Sequence, residues 1–450
     1  MRKPEGFRAF VTIWLGQIVS AVGTRMTAFA LGLFIWERTG QVTAFAILSF
    51  CSYAATVVFS PLAGALVDRW NRRLTIVMSD LGSLAATSGM LVLFSVTTVH
   101  IWMLYIVATL TGAFLAFQYP VYSATISQMM GKGKYPRANA MMALVVSLPS
   151  VAAPALSATL LTVTNIRVIL SIDAASYVFA IGTVFLVTLP ATPAAAAGGD
   201  KPRARIWHDS LFGFRYIWHS RPLTALLTFS FTIGLLAGIT YTVMLPLVLA
   251  RTGNNSLDGG IVQSVGAAGG VLGGIVVGVL GDRTDKIKYI LGGTVLLGLL
   301  GRILYGLSDT MVFWCIGQLV AWGSLPAINA YTQSIWQEHV EQGVQGRVFA
   351  AQNFVENLAL PVALGVSGVL ADEVFGPAME HGGFLASIFS RWVGTGSGAG
   401  MSVMCIIGGA LLIVTAAIAY ASPVLRSAGR RQPEAVAVGV SPAGDQPLAN

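Results

Sequence analysis

The chain contains few charged residues and few residues that commonly bind metals. Only 10% of its 450 residues are charged, five are histidines and three are cysteines. Cys51, Cys315 and Cys405 each lie in an apolar run, which favours small buried side chains over a metal site or a disulfide. The histidines lack metal-ligand spacing, and no G-x-x-x-x-G-K-[ST] phosphate loop or nucleophile motif occurs. The sequence therefore predicts no metal, no cofactor and no enzymatic activity.

Basic residues outnumber acidic ones, but they are not gathered on one surface. The formal net charge is +8, and the Lys and Arg residues lie in short breaks between apolar runs. This scattering argues against nucleic-acid binding, which needs a basic patch. The chain is 55% hydrophobic with a mean hydropathy of +0.73, more than a soluble domain needs to fill its interior. These values indicate a protein that lies in lipid.

Apolar runs of about 20 residues, long enough to cross a bilayer, fill most of the chain. They are continuous rather than alternating, which favours transmembrane helices over barrel strands. The sequence predicts an all-α integral membrane protein with twelve spans, at residues 10–35, 44–67, 74–95, 101–122, 139–163, 167–189, 223–249, 260–281, 288–307, 311–334, 348–371 and 399–421.

The positions of Lys and Arg predict the orientation of these spans. If the N-terminus lies in the cytoplasm, twenty-one basic residues fall in the tails and the cytoplasmic breaks, and four fall outside. Arg25 and Arg302 lie within spans. Because cytoplasmic loops carry the excess of Lys and Arg, we expect a multi-pass protein of the plasma membrane with both termini in the cytoplasm.

Composition divides the chain into four parts. We expect a six-helix bundle at 1–189, a linker at 190–222, a second six-helix bundle at 223–421 and a disordered cytoplasmic tail at 422–450. The linker becomes amphipathic near its end, which predicts a helix on the cytoplasmic membrane surface. A long outer loop is predicted at 372–398, with a short amphipathic segment inside it.

Two similar charged clusters follow the second and the eighth predicted spans. The first is GALVDRWNRR, with Gly64, Asp68 and Arg69, and the second is GVLGDRTDKI. Gly278, Asp282 and Arg283 of the second cluster keep the same spacing as their counterparts in the first. The repeat predicts two pseudo-symmetric bundles of six spans, an organisation typical of transporters in which one half rocks against the other.

The first cluster resembles the G-x-x-x-D-R-x-G-R-R/K signature of the major facilitator superfamily. Gly64, Asp68, Arg69, Arg72 and Arg73 match it, and Asn71 stands where glycine is usual. Asn tolerates a left-handed backbone, so we expect it to replace the glycine in that role. RYIWHSRPL, QGRVFAAQNF and VGTGSGAGM are similar to segments of the drug-exporter branch typified by macrolide efflux proteins and the enterobactin exporter.

The resemblance implies that the charged clusters form a gating latch. In the family, the aspartate after span two lies near the start of span eleven, where a helix dipole favours a carboxylate. Asp68 would then lie near Arg347, and Asp282 near Arg137 at the start of span five. The alternative is that the arginines only set orientation. The predicted latch comprises Gly64, Asp68, Arg69, Arg72, Arg73, Gly278, Asp282, Arg283, Arg137 and Arg347.

The resemblance also implies a central cavity lined by spans one, four, seven and ten. Arg25 is a candidate for this cavity, because charge inside a span is costly and suggests function. The alternative places Arg25 at the outer interface or in an ion pair with Glu37. Polar side chains predicted to line the cavity are Gln17, Gln118, Tyr119, Tyr241, Gln318, Asn329 and Gln333.

Other charges within spans have either structural or proton-carrying interpretations. Ion pairing with Arg72 or Arg73 is favoured for Asp80 over proton coupling, whereas Glu356 is a proton-carrier candidate. Arg302 is expected to pair with Asp309. In span eight, Gly266, Gly270, Gly274 and Gly278 recur every four residues, which predicts a face for close helix packing.

These observations favour a monomeric secondary transporter that exports a small organic molecule, such as a macrolide- or siderophore-like compound, by proton antiport. Span five carries PSVAAPALSA, which resembles the family's antiporter-associated region with Ala153 and Ser157 in place of glycines. Two alternatives stay open: an importer or passive facilitator of the same fold, and a non-transporting membrane scaffold. Arg25 suggests a neutral or anionic substrate.

Overall fold

The structure is a computed structural model that describes residues 6–67, 71–129, 135–188, 212–281, 285–380 and 383–428. Throughout these ranges the regular secondary structure is helical. Within these ranges, twelve helices are long and apolar enough to cross a membrane. Spans 1 to 12 cover Gly6–Thr39, Val42–Val67, Arg72–Val96, Ile101–Met129, Tyr135–Val163, Ile166–Leu186, Arg221–Arg251, Ser256–Leu280, Lys286–Leu307, Met311–His339, Gln345–Ala378 and Ala399–Ala421.

The twelve predicted spans are confirmed, but many of the helices extend past the apolar runs. Span 11 continues through a π-helical segment, Leu370–Phe375, and ends at Ala378. The start of the predicted loop 372–398 is therefore wrong. A hydropathy pattern marks the part of a helix that lies in lipid, whereas backbone hydrogen bonding continues into the polar interface. The amphipathic segment within the loop is a helix, Phe384–Val393.

The end of the predicted linker is a helix, 212–219, that packs against the C-terminal half. Gly213 of this linker helix lies against the backbone of Arg347 in span 11, and Ile217 is buried in the core of that half. Trp218 is 79% exposed, so only one face of the helix is free. Residues 189–211 lie outside the described part of the chain. The linker helix is therefore amphipathic, and it also packs against span 11.

The predicted disordered tail begins with a short helix instead. Pro423–Ala428 is helical, and Leu425 is buried in the same core as Leu223 and Leu226 of span 7. The apolar side chain of Leu425 holds this short helix against span 7. The polar composition of the rest of the tail had suggested disorder throughout. The remainder of the tail, 429–450, lies outside the described residues.

The spans end at two opposite faces of the bundle. We call the face that holds the start of span 1 and the end of span 12 the terminal face, and the opposite one the distal face. Spans 1–6 form the N-terminal half and spans 7–12 the C-terminal half. The halves contact each other mainly through spans 2 and 11 and through spans 5 and 8.

An apolar cluster seals the two halves together toward the distal face. We call it the distal seal. From the N-terminal half it contains Phe29, Leu33, Trp36, Val42 and Ala158, and from the C-terminal half Val243, Met244, Leu245, Leu247, Val248, Leu249, Val262, Tyr305, Trp314, Ala371, Met401, Met404 and Cys405. Hydrogen bonds that join described residues of the two halves also lie toward this face. The halves are therefore closed together at the distal end.

The glycines of span 8 pack closely, but the predicted stripe makes contact only over its first half, where Gly266 and Gly270 lie against Trp322 of span 10. Gly269 and Gly273 lie against the backbone of span 10 at Leu319 and Gly323. Gly274 and Gly278 have no neighbouring atom where a Cβ would stand. The four-residue repeat drifts around a helix of 3.6 residues per turn, so its last members leave the contact.

Gly269→Ala is expected to destabilise the protein by about 1–3 kcal/mol, because its methyl group would meet the backbone of Leu319. Gly274→Ala is the matched control on the same helix and is expected to keep or slightly raise stability. Thermal unfolding in detergent measures both. Equal midpoints for the two variants would contradict the observed helix contact.

Candidate functional site

Arg25 lies immediately beneath the distal seal. Arg25, Phe29 and Leu33 are spaced four residues apart in span 1, so they share one face of the helix. Phe29 and Leu33 belong to the seal, whereas Arg25, one turn nearer the terminal face, is exposed. Arg25 also lies within electrostatic range of the Tyr241 hydroxyl in span 7. The guanidinium therefore faces the space between the two halves.

The alternative partner for Arg25 is not supported. Glu37 follows Arg25 by three turns of the same helix, about 18 Å along the axis. No ion pair joins them, and no carboxylate in the described part of the chain pairs with Arg25. An exposed and unpaired cation at this depth is the type of group that binds solutes in membrane proteins.

Aromatic and amide side chains surround this position from the C-terminal half. The Tyr241 ring meets the Trp322 ring edge-on, with centroids 5.7 Å apart. Gln263 of span 8 lies close to the Tyr241 hydroxyl. Gln318 is only 1% exposed, and neither its amide nitrogen nor its amide oxygen has a hydrogen-bond partner. We call Arg25, Tyr241, Gln263, Gln318 and Trp322 the chamber end.

Two members of the chamber end were not predicted from the sequence. Gln263 lies in span 8, outside the spans expected to line the cavity. Trp322 is one helical turn after Gln318, so both lie on one face of span 10. This spacing could have predicted Trp322 from the sequence. The chamber end therefore combines one cation, amide groups and two aromatic rings.

Gln17 and Gln118, both predicted to line the cavity, instead hold Asp80. Their Nε2 atoms donate to Oδ2 and Oδ1 of Asp80, each at 3.2 Å. Asp80 has no exposed surface, so the three side chains form a closed cluster joining spans 1, 3 and 4. The side chain of Tyr119 lies outside the described part of the structure.

The ion pair preferred for Asp80 is not formed with Arg73. The Arg73 guanidinium donates to the backbone oxygen of Val187 at the end of span 6. Span 3 begins at Arg72, so Asp80 lies about two helical turns inside it. The Arg73 side chain points toward span 6 and does not reach Asp80. The side chain of Arg72 lies outside the description.

A second buried carboxylate, Asp173, is enclosed by hydroxyl groups. Thr24 and Thr27 of span 1 and Thr87 of span 3 donate to its oxygens at 2.9–3.3 Å. Its side chain is buried, like that of Asp80. This arrangement joins three helices of the N-terminal half and leaves Asp173 almost no exposed surface.

Glu356 is held less tightly than Asp80 and Asp173. It is half-buried in span 11 and accepts a hydrogen bond from Gln352 Nε2 at 3.2 Å. The hydroxyl of Ser230 in span 7 lies close to it. Gln352 also donates to Gln333 of span 10. Gln333, which was predicted to line the cavity, therefore supports Glu356 through Gln352. Glu356 is therefore only partly buried, and neutral polar groups surround its carboxylate.

The buried Arg302 pairs with no carboxylate in the part of the chain that the structure describes, so its predicted pairing with Asp309 is wrong. Asp309 pairs with Arg251 instead. The Arg302 side chain donates to Thr240 Oγ1 at 2.6 Å and to the Met244 sulfur at 3.0 Å, both in span 7. It lies in a π-helical turn of span 9, which re-aims the side chain toward span 7. The contact with Thr240 fixes the residue next to Tyr241.

The described residues test only part of the predicted latch. Asp68, Arg69, Asp282 and Arg283 lie outside them, as do the side chains of Arg72 and Arg137 and the surroundings of Gly64. Arg347 stacks on Phe212 of the linker helix, 4.3 Å from its ring centre. Gly278 is exposed.

Asn71 differs from its predicted role. Its φ is −63°, so it does not use a left-handed backbone. Instead its side chain caps span 3 by accepting a hydrogen bond from the Arg73 backbone nitrogen at 3.0 Å. Asn replaces glycine here because it is a good helix cap.

Comparisons with known proteins agree with this architecture. The family model of the Major Facilitator Superfamily matches residues 13–364 of this chain. Macrolide efflux protein A of Streptococcus pyogenes is 24% identical over 367 residues, which cover 81% of this chain and 90% of that protein. Multidrug efflux pump Tap of Mycobacterium bovis (strain BCG / Pasteur 1173P2) is 21% identical over 398 residues, covering 86% and 91%.

Solved structures share the fold at low sequence identity. The nucleoside transporter NupG has a TM-score of 0.68 at 12% identity, covering 91% of this chain and 98% of that one. A bacterial homologue of the lysosomal transporter Spinster, inward-facing and unoccupied, has a TM-score of 0.68 at 13% identity, covering 95% and 98%. This chain is thus a multi-pass membrane transporter rather than an enzyme, and it belongs to the major facilitator superfamily.

Proposed function

We propose that this protein is a secondary exporter that moves a small organic molecule out of the cell by alternating access. The observation that carries the proposal is the distal seal, with the exposed Arg25 and the rest of the chamber end directly beneath it. A site closed from one face and exposed beneath that closure is what one state of an alternating-access carrier requires. Efflux proteins among its relatives support export as the direction.

We also propose that the terminal face is cytoplasmic and that the membrane is the plasma membrane. The distribution of Lys and Arg supports this orientation. A site that is reached from the cytoplasm while the distal face is sealed is in the state that loads substrate for export. The latch of Asp68 and Asp282 would close the cytoplasmic side in the other state, and it stays a prediction.

The chamber end favours an organic anion with an aromatic or other apolar body. Arg25 supplies an unpaired positive charge, and Tyr241 and Trp322 supply ring surfaces. The buried Gln318 amide beside them has neither its donor nor its acceptor paired, and leaving a buried polar group unpaired costs about 1–3 kcal/mol. A cationic drug would meet repulsion from Arg25. We therefore propose a neutral or anionic substrate, with anions preferred.

Glu356 is the proton carrier that the structure favours. A carrier must exchange protons with water and must face different surroundings as the halves move. Asp80 and Asp173 are fully enclosed within the N-terminal half, whereas Glu356 is half-buried and lies in span 11, which contacts the other half. Proton antiport through Glu356 is therefore our proposal for energy coupling.

The experiment that tests this function is a flux assay in proteoliposomes. Aromatic anions, neutral aromatics and aromatic cations of similar size would be loaded, with a pH gradient imposed in each direction. We expect anions to move in the direction opposite to proton flow. This flux should be absent from protein-free liposomes. Flux in the same direction as protons would show an importer, and flux unaffected by the gradient would show a passive facilitator. A complete lack of flux across the panel would contradict the proposal.

A further inference from the structure

We infer that Asp372 is a gating residue that holds the distal face closed, an inference that rests on the proposed alternating-access function. Asp372 lies near the end of span 11, and its carboxylate meets the start of span 2 in the other half. The backbone nitrogen of Val42 donates to Oδ1 at 3.1 Å, and that of Thr43 donates to Oδ2 at 2.7 Å. Both carboxylate oxygens are thus used in joining the halves.

The start of a helix is suited to this contact. Its first four backbone N–H groups have no partner within the helix, and the helix dipole places partial positive charge there. Gly40 has a left-handed backbone with φ of +61°, which ends span 1 and allows the chain to turn into span 2 at once. The two N–H groups of Val42 and Thr43 therefore point at span 11, and a carboxylate satisfies both.

Close packing around Asp372 shows that this approach is specific. Gly368, one turn earlier in span 11, lies directly against the backbone of Thr43, and a Cβ would not fit there. Trp36 Nε1 also donates to Asn254 Oδ1 of the C-terminal half at 2.9 Å. A cavity of about 300 Å³ next to Asp372 opens to the distal surface. Asp372 is therefore the charged part of a packed closure that water reaches from the distal side.

Spans 2 and 11 would then carry a carboxylate at each end of their contact. The two helices are antiparallel, so each ends where the other begins. Asp372 at the end of span 11 meets the start of span 2, while Asp68 after span 2 is predicted to meet the start of span 11. Rocking of the halves would engage one carboxylate as it releases the other. Asp372 would thus set the balance between the two states.

The test measures opening of the distal face directly, without relying on transport. Leu33 is 3% exposed within the distal seal, so a single cysteine there reports its opening. In a background with Cys51, Cys315 and Cys405 replaced, a membrane-impermeant maleimide would be added to intact cells. Asp372→Asn keeps the shape of the side chain but removes its charge, and we expect labelling about tenfold faster than in the parent.

The matched control is Glu373→Gln, which removes the same charge from the exposed neighbouring residue. We expect it to label at the parent rate. Gly368→Ala should speed labelling as Asp372→Asn does, because it pushes span 11 away from Thr43. A cysteine at Leu226, buried inside the C-terminal half, should stay unlabelled and so exclude general loosening.

Two results would overturn the inference. One is labelling of Asp372→Asn at the parent rate, and the other is an equal increase in Glu373→Gln. Either would leave the proposed export intact if flux persists in proteoliposomes. Loss of flux in the parent protein, with Asp372→Asn still labelling faster, would instead contradict the proposed function.

Discussion

Arg25→Ala is expected to reduce the transport of organic anions by about ten- to a hundredfold, mainly by raising KM. A hydrogen bond to a charged group contributes about 1.5–3 kcal/mol, and each 1.4 kcal/mol is a tenfold change in affinity. Folding should be little affected, because Arg25 is exposed and makes no ion pair among the described residues. Initial flux rates against substrate concentration, with thermal unfolding in parallel, measure the two effects.

Controls separate the charge of Arg25 from its position. Arg38→Ala removes an exposed arginine from the distal end of the same helix and should leave KM unchanged. Arg25→Lys should restore part of the affinity, since it keeps the charge but loses the paired donors of the guanidinium. Transport of a neutral aromatic should fall far less than that of the anion. Unchanged anion transport by Arg25→Ala would remove the proposed substrate class.

Glu356→Gln is expected to abolish the acceleration of flux by a pH gradient while substrate exchange continues. The amide keeps the shape of the side chain and its capacity to accept the hydrogen bond from Gln352, but it cannot carry a proton. The measurement compares flux with and without an imposed gradient, and then exchange of labelled for unlabelled substrate at equal pH.

Asp80→Asn is the comparison variant for proton coupling. Asp80 is enclosed by Gln17 and Gln118, so its neutral analogue should still respond to the gradient, although stability should fall. A normal gradient response in Glu356→Gln would rule out Glu356 as the carrier. Loss of the response in Asp80→Asn alone would transfer that role to Asp80.

The sequence predicted the spans well because lipid imposes a simple requirement on them. A helix that crosses a bilayer needs about 20 apolar residues, and no tertiary detail changes that number. The same argument could not locate helix ends, since span 11 continues to Ala378 through a π-helical segment that has no hydropathy signal. Nor could it show that the linker helix packs on span 11.

Pairings between polar side chains were predicted less well, because they depend on how each helix is rotated. Gln17 and Gln118 both seemed to face a cavity, yet each turns toward Asp80. Arg302 and Asp309 are close in sequence, yet Arg302 turns toward Thr240 in span 7. Asp372 was assigned to a loop, so its contact with span 2 was missed. The charged repeat is a stronger signal, but its aspartates lie outside the described residues.

The central claim is that the two halves close one face as they open the other. Double electron–electron resonance between spin labels tests it most directly, with one pair at Thr164 and Ser387 on the distal face and another at Ser60 and Val279 toward the terminal face. All four positions are exposed. If the halves rock in this way, a substrate or pH change that lengthens the distal distance shortens the terminal one. Distances that never change, or that lengthen together, would contradict it.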